Sequence, residues 1–319
     1  MSASRCDSQC VVGIDVAKAH LDGKVLPSGE TFHGPNAPSG HRQIVARLKE
    51  LAPERIVMEA TGGYETALAS ALTAAGLPVV IVNPRLIRRF AQAMGRLAKT
   101  DALDAGVLAD YAQKIAPAPR PLPDEAQRSL QALVSRHHQL VEMRAAEKNR
   151  LQQAPAALRD GIEQHVRQLS EALAELEEQL RRALRENDRF RERDDLLRSV
   201  KGVGPKTSAL LVSALPELGQ LNRKKIAALV GLAPFNDDSG KRQGERHIWG
   251  GRAPIRAVLY MATLSAVQWN PQIKAVCDRL LSRGKPWKVM MVACMRKLLL
   301  LLNAIVKQGK PWSHEPQPT

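Results

Sequence analysis

Hydrophobic and polar residues alternate through residues 10–33, where CVVGIDVAK, HLDGKVL and ETFH each carry the period of two that predicts a β-strand. Gly23 and the Pro27–Gly29 stretch are read as the turns between them. The period then lengthens, and residues 39–51 predict an amphipathic helix with Ser39 as its cap. A short apolar strand, RIVMEA, follows, then a TGGY turn and the helix ETALASALTAAG. LPVVIV predicts another strand, closed by Asn83 and Pro84. Two helical stretches come next, RLIRRFAQAMG and about Thr100 to Lys114. Three strands followed by β-α-β-α predict a mixed α/β layout, and the stiff PAPRPLP at 117–123 predicts its end.

Downstream the pattern becomes helical throughout. Val166, Leu169, Leu173, Leu176 and Leu180 step by three and four, as do Leu130, Leu133, His137 and Leu140 upstream. Pro155 lies between the two runs, which predicts two long helices folded as a hairpin or as one arm of a coiled-coil dimer. Residues 196–215 predict two helices around a Gly-Val-Gly turn, followed by helices at 222–231, 252–267 and about 286–306. The last contains the most apolar run of the chain, but Arg296 and Lys297 cut it, so it is read as a buried helix rather than a membrane span. The expected domains are therefore 1–124, 125–197 and 198–319.

Composition sharpens the third domain. The chain has 319 residues, is 44% hydrophobic and only 3% aromatic, and carries a net charge of +15. Residues 198–319 hold 20 Lys and Arg against 6 Asp and Glu, so +14 of the +15 sits there. Charge concentrated in one segment points to a polyanionic partner, a nucleic acid before any other. Cys6 and Cys10 lack the spacing of a zinc knuckle, and no apolar leader precedes them, so a cytoplasmic protein with no membrane partner is expected.

Four carboxylates stand out. Asp15 interrupts the apolar first strand, where an acid is costly to bury without a partner. Glu59 ends the strand RIVME, and Asp101 and Asp104 leave one face of a helix at i, i+3 spacing. Each alone has an ordinary reading: a strand-edge acid, a strand-end cap, a decorated helix surface. Together they place four oxygen donors where they can converge, and a hard cation such as Mg²⁺, as one ion or two, fits that donor set.

GIDVAK, EATGGY and KTDALDA resemble the DEDD-type RuvC-like domain of IS110-family insertion-sequence transposases, kin to the Piv and MooV DNA invertases. The resemblance runs on through GLAPFNDDSGKRQGERHIWGGRAPIRAVLYMA, which matches the family's C-terminal pattern at Gly231–Pro234, Ser239–Gly240, Gly250–Gly251 and Arg256. It implies a fold of class α/β plus α: a ribonuclease-H-like N-terminal domain, a long helical coiled-coil arm and a mostly α-helical C-terminal domain. It assigns metal binding to Asp15, Glu59, Asp101 and Asp104 and the nucleophile's role to Ser239. SVKGVGPKTSALL resembles a helix-hairpin-helix element, whose glycine turn can present backbone N–H groups to a phosphate. Lys201, Gly202, Gly204 and Lys206 would form that contact, and Lys241, Arg242, Arg246, Arg252 and Arg256 a second one around the serine.

The reading favoured by these features is a DNA transposase that recombines strands through a covalent phosphoserine. The family resemblance further implies a structured guide (bridge) RNA. The helical arm is expected to join subunits into a homo-oligomer (dimer or tetramer), because recombination needs two duplexes, and a nucleoid location is expected. Two other readings stay open on the residues alone: a RuvC-like junction nuclease using water, and a non-catalytic nucleic-acid-binding protein.

Overall fold

The computed structural model describes residues 10–96, 101–119, 122–236, 238–239, 242–244 and 246–313, and of residues 101–103, 238–239 and 242–243 it describes the backbone only. The chain divides into two compact units, Met1–Leu122 and Pro123–Thr319, so the long helices group with the second unit.

The first unit is built on five strands: β1 (Val11–Val16), β2 (His20–Leu26), β3 (Thr31–Pro35), β4 (Arg55–Glu59) and β5 (Val79–Val82). Their order is β3-β2-β1-β4-β5, with β2 antiparallel to its neighbours and β4 and β5 parallel to β1. This is the strand order of the ribonuclease-H-like fold. Helices α1 (Pro38–Leu51), α2 (Thr66–Ala74), α3 (Pro84–Ala93) and α4 (Asp101–Lys114) complete the unit. Val12, Ile14 and Val16 join one buried cluster with Leu48, Leu68 and Leu72, while Val11, Val57, Val80 and Val82 join another with Ile87, Leu108 and Ala112. The sheet is thus covered on both faces, as its near-continuous apolar strands require.

Two local expectations are corrected. Gly23 is no turn: it lies within β2 opposite Ile14, and a Cβ there would fall 2.0 Å from Phe32 Cζ, so the glycine makes room for the Phe32 ring on the next strand. Ser39 does not cap α1, because Pro38 already occupies its first position with Ala37 as N-cap.

Gly13 fixes how α4 meets the sheet. A Cβ on it would lie 2.2 Å from Ala109 N and 2.4 Å from Ala105 O, so the α4 backbone rests directly on β1. Only a residue without a side chain permits that approach.

The second unit is helical: α5 (Glu125–Gln153), α6 (Ala156–Glu186), α7 (Asp188–Arg198), α8 (Pro205–Ala214), α9 (Arg223–Val230), α10 (Ala253–Trp269), α11 (Pro271–Leu281) and α12 (Trp287–Gln308). Asp124 caps α5, accepting from Gln127 N at 2.7 Å, and this bond, aided by Arg189, holds its carboxyl below the usual range. α5 and α6 form the expected hairpin, with Leu140, Leu169, Leu173 and Leu176 buried along its seam. Helix α11 was not foreseen; Asn270 separates it from α10 by capping its N-terminus, accepting from Gln272 N at 3.1 Å and Ile273 N at 3.3 Å. α12 has the length and composition of a membrane span, but Met290, Met291, Cys294, Leu298, Leu299 and Leu302 are buried in the core of this unit, as expected for a core helix.

Replacing Gly13 by Ala is expected to push α4 off β1 and to cost roughly 1–3 kcal/mol, the usual range for forcing extra atoms into a packed core. Urea denaturation of the purified chain measures this; a midpoint equal to that of the parent contradicts the close approach.

Candidate active site

Strand parity places the first two carboxylates. Residues i and i+2 share a face, so Asp15 lies with Gly13 on the side of the sheet covered by α4. Glu59 lies with Val57 on that same side. The parallel register pairs Ile14 with Met58, so Asp15 and Glu59 are next along adjacent strands at their carboxyl ends. In open α/β sheets this is where ligands bind, outside the carboxyl ends of parallel strands where the order reverses. Asp15 is half-buried and its Oδ1 accepts from Val16 N at 3.1 Å.

α4 supplies the third and fourth acids. Asp104 precedes Ala105, whose carbonyl meets Gly13, so the turn that carries it crosses β1 two residues from Asp15. Asp101 is the first residue of α4, and its side chain lies outside the described residues. All four donors are hard oxygens, which suits Mg²⁺. Among the described residues, no three His, Cys, Asp or Glu side chains form a group able to hold a metal ion.

Sequence reading missed a further acid on this face. Asp22 pairs directly with Asp15 across β1 and β2, and His33 pairs with Asp22 across β2 and β3. His33 Nδ1 lies 2.8 Å and His20 Nε2 3.6 Å from the Asp22 carboxylate. The parity of HLDGK already put His20, Asp22 and Lys24 on one side of a strand. Which side faced Asp15 depended on the register with β1.

A second layer positions the loops that follow these strands. Asn36 Nδ2 donates to Ala17 O at 2.8 Å and Tyr64 O at 3.3 Å, and its Oδ1 lies 2.7 Å from His41 Nε2. Both amide protons are thus directed at carbonyls, so Oδ1 accepts from His41. Asn36 therefore ties the segment after Asp15 to the segment after Glu59 and anchors both to α1. Glu65, buried at the head of α2, accepts from Thr61 N, Thr61 Oγ1 and Gly63 N at 3.1, 3.2 and 2.9 Å. Those bonds hold the TGGY turn, in which Gly62 and Gly63 take φ values of 75° and 112°. Burial pushes His41 below the ordinary histidine range, so its neutral form is the native one.

The serine loop proves to be a β-structured projection. β6 (Pro234–Phe235) pairs with β9 (His247–Ile248), and beyond them β7 (Asp238–Ser239) pairs with β8 (Arg242–Gln243). Ser239 stands opposite Arg242 at the end of the inner ladder. The side chains of Ser239 and Arg242, and all of Gly240 and Lys241, lie outside the described residues.

The base of this projection is closed by glycines. A Cβ on Gly251 would lie 2.3 Å from Gly231 N, and one on Gly231 would lie 2.3 Å from Gly250 O; both residues have positive φ. Arg256 Nη1 seals the contact by donating to Val230 O at 3.0 Å and to Gly250 O. Arg252 donates to Ala214 O at 2.7 Å and grips Glu217 with both terminal nitrogens, at 2.8 and 2.5 Å. These two arginines, expected to touch nucleic acid, therefore have protein partners. Arg246 and Lys201 are exposed. Lys206 pairs with Glu177 at 2.8 Å. Gly202 takes a φ of 104°, where a Cβ would fall 2.6 Å from Ala266 Cβ, and Gly204 caps α8. Burial raises the Cys294 thiol to about 11, and the neighbouring Cys277 adds to the rise, so it stays protonated and is no competing nucleophile.

Asn36→Ala is expected to cost about 1–3 kcal/mol by leaving carbonyls and the His41 donor unpaired. The parent's stability should also decline as pH falls through the ordinary histidine value of 6.5, because the unfolded chain binds the proton that buried His41 does not. That slope, followed by thermal melting from pH 8 to pH 5, should flatten in His41→Gln. Gly231→Ala should destabilise the second unit by roughly 1–3 kcal/mol through backbone overlap at positive φ. Hydrogen exchange across residues 230–252 reads this, and parent-like protection would contradict the clamp.

Comparison with known proteins finds two family matches along the chain, the first of which runs past Leu122 into the long helices. A family model for DEDD transposases of IS110, described as a transposase, matches residues 12–162. A second model, described as the transposase IS116/IS110/IS902 family, matches residues 194–278. The pilin gene-inverting protein of Moraxella bovis is 26% identical over 318 residues, covering 96% of this chain and 98% of its own. A 44.8 kDa protein of insertion element IS116 from Streptomyces clavuligerus is 26% identical over 314 residues, 74% of this chain and 79% of its own. The Thermus thermophilus RuvC structure is similar to 35% of the chain, at 18% identity and a TM-score of 0.28, and covers 100% of that chain. The two family matches together cover residues 12–162 and 194–278, most of the chain, and the chain belongs to the IS110 family of insertion-sequence transposases.

Proposed function

We propose that this transposase is an RNA-guided DNA recombinase that breaks and rejoins strands through a covalent phosphoserine at Ser239. The observation that carries the reading is the placement of Asp15 and Glu59 side by side at the carboxyl ends of parallel strands, on the face that α4 crosses with Asp101 and Asp104. Asp15, Glu59, Asp101 and Asp104 would hold Mg²⁺, one ion or two, which when bound supplies Lewis acidity toward phosphodiester oxygen.

Ser239 Oγ forms a bond to phosphorus as the bond from phosphorus to the leaving sugar oxygen breaks. The serine proton is lost, and the leaving oxygen ends protonated. One ester replaces another, so a sugar hydroxyl of a second strand can later displace Ser239 and rejoin DNA without an external energy source. A serine alone is a weak nucleophile, which is why the carboxylate face belongs to the same reaction. Arg246 and Lys241 supply positive charge for the phosphate.

The glycine turn between α7 and α8 serves as a helix-hairpin-helix contact to the DNA backbone, with Lys201, Gly202, Gly204 and Lys206 near phosphate. The α5–α6 hairpin acts as a coiled-coil arm that joins subunits into a dimer or tetramer, because recombination engages two duplexes. A guide RNA supplies sequence choice by base pairing, so the protein needs no major-groove reading helix. The protein works in the cytoplasm, on the nucleoid.

The test uses a nicked DNA substrate that traps the intermediate, with guide RNA and Mg²⁺ present. The parent should give a covalent protein–DNA adduct, and Ser239→Ala should give neither adduct nor cleavage. Asp101→Ala should lose both as well. Cleavage that persists in Ser239→Ala without any adduct would replace this reading by a water-dependent nuclease.

A further inference from the structure

We propose that the turn between α11 and α12 is a binding site for single-stranded nucleic acid, with Trp287 as the base-stacking platform. Nine consecutive residues, Leu281 to Val289, are exposed. Their sequence is LSRGKPWKV. It holds three cations, Arg283, Lys285 and Lys288, and no acid. None of the three has a carboxylate partner among the described residues, and α12 has no acid in its first turn. Trp287 is 51% exposed between them; Trp249 and Trp269 are also exposed, at 61% and 67%, but neither has a lysine or arginine within two residues.

The turn is rigid. Gly284, at φ 65°, ends α11, with Gly284 N donating to Leu281 O at 2.9 Å and Lys285 N to Leu280 O at 3.1 Å. That pair of bonds is a Schellman closure. Pro286 follows as the N-cap of α12, and its carbonyl accepts from Met290 N at 3.0 Å. The backbone on both sides of Trp287 is therefore tied by hydrogen bonds, so little backbone ordering is left for a ligand to impose.

The chemistry of the patch selects its occupant. An exposed indole offers a flat apolar face, and the adjacent cations repel other cations and attract a polyanion. Protein interfaces favour tryptophan but are poor in lysine, whereas Lys285 and Lys288 flank this ring at two residues and one. A nucleic acid supplies a π-face for the ring and phosphates for the lysines. In a duplex the base faces are stacked on one another and unavailable, so the ligand is a strand with open bases. The site is separate in sequence from Ser239 and from the glycine turn of α7–α8, and it rests on the proposed nucleic-acid role of this unit.

Fluorescence anisotropy of the full-length chain tests this with a labelled 20-nucleotide oligothymidylate and a mixed-sequence duplex of equal length. Trp287→Ala should weaken oligothymidylate binding roughly tenfold or more, with Trp287→Phe restoring most of it, while duplex binding changes less than about twofold. Lys285→Ala with Lys288→Ala should lower the slope of log affinity against log salt by about 1.4, at ~0.7 per phosphate contact on a single strand. Unchanged oligothymidylate affinity in Trp287→Ala overturns the inference, as does an equal loss on duplex, which would mark a general electrostatic face. A shift in oligomeric state of Trp287→Ala with unchanged oligonucleotide affinity overturns it in favour of a protein contact. If the parent binds duplex and only the Trp287 effect is missing, the turn alone is misassigned; if the parent binds neither probe, the nucleic-acid role of the unit falls with it.

Discussion

The first unit depends on a backbone contact that one missing side chain permits. Gly13 lets α4 lie on β1 with Ala105 and Ala109 against the strand. Any larger residue would separate the helix from the sheet by a layer of atoms. With the contact made, Asp104 is brought to within two strand positions of Asp15. The parallel pairing of β1 with β4 then adds Glu59. Several carboxylates on one face repel one another, so the arrangement favours a cation there.

The second unit uses the same device for a different purpose. Gly231 and Gly251 approach so closely that neither tolerates a Cβ, and Arg256 bridges the two carbonyl-bearing segments around them. This closes the base of the residues 234–248 ladder and explains why the motif combines glycines with an arginine. Arg252 and Arg256 had been read as phosphate contacts because of their charge. A guanidinium is also a fork of donors suited to backbone carbonyls and carboxylates, and at these positions that use is the one observed. Positive charge in a segment identifies its kind of partner, but not which residues meet it.

The elements were legible where the hydrophobic period ran unbroken. The five strands, the long hairpin and α12 followed from it, and the ribonuclease-H-like order followed once the strand sequence was matched to a family pattern. The reading failed where a glycine had two meanings. Gly23 looked like a turn, yet it is a strand residue that yields space to Phe32. The loop around Ser239 looked irregular because its strands are two residues long, too short to show any period. Asn36 and His41 carried no signal, since a lone Asn and a lone His are common and only their partners give them meaning.

The sequence by itself determined the concentration of charge and the family, and it singled out four carboxylates and a serine in a glycine-framed loop as candidates. These are properties of residue type and spacing, written along the chain. The tertiary structure alone decided that Asp22 opposes Asp15, that Asn36 joins the loops beyond Asp15 and Glu59, and that two arginines are spent on internal bonds. Those facts depend on strand register and on backbone approach, which arise from distant segments meeting. A one-residue change of register would turn Asp22 to the other face without altering a letter of the sequence.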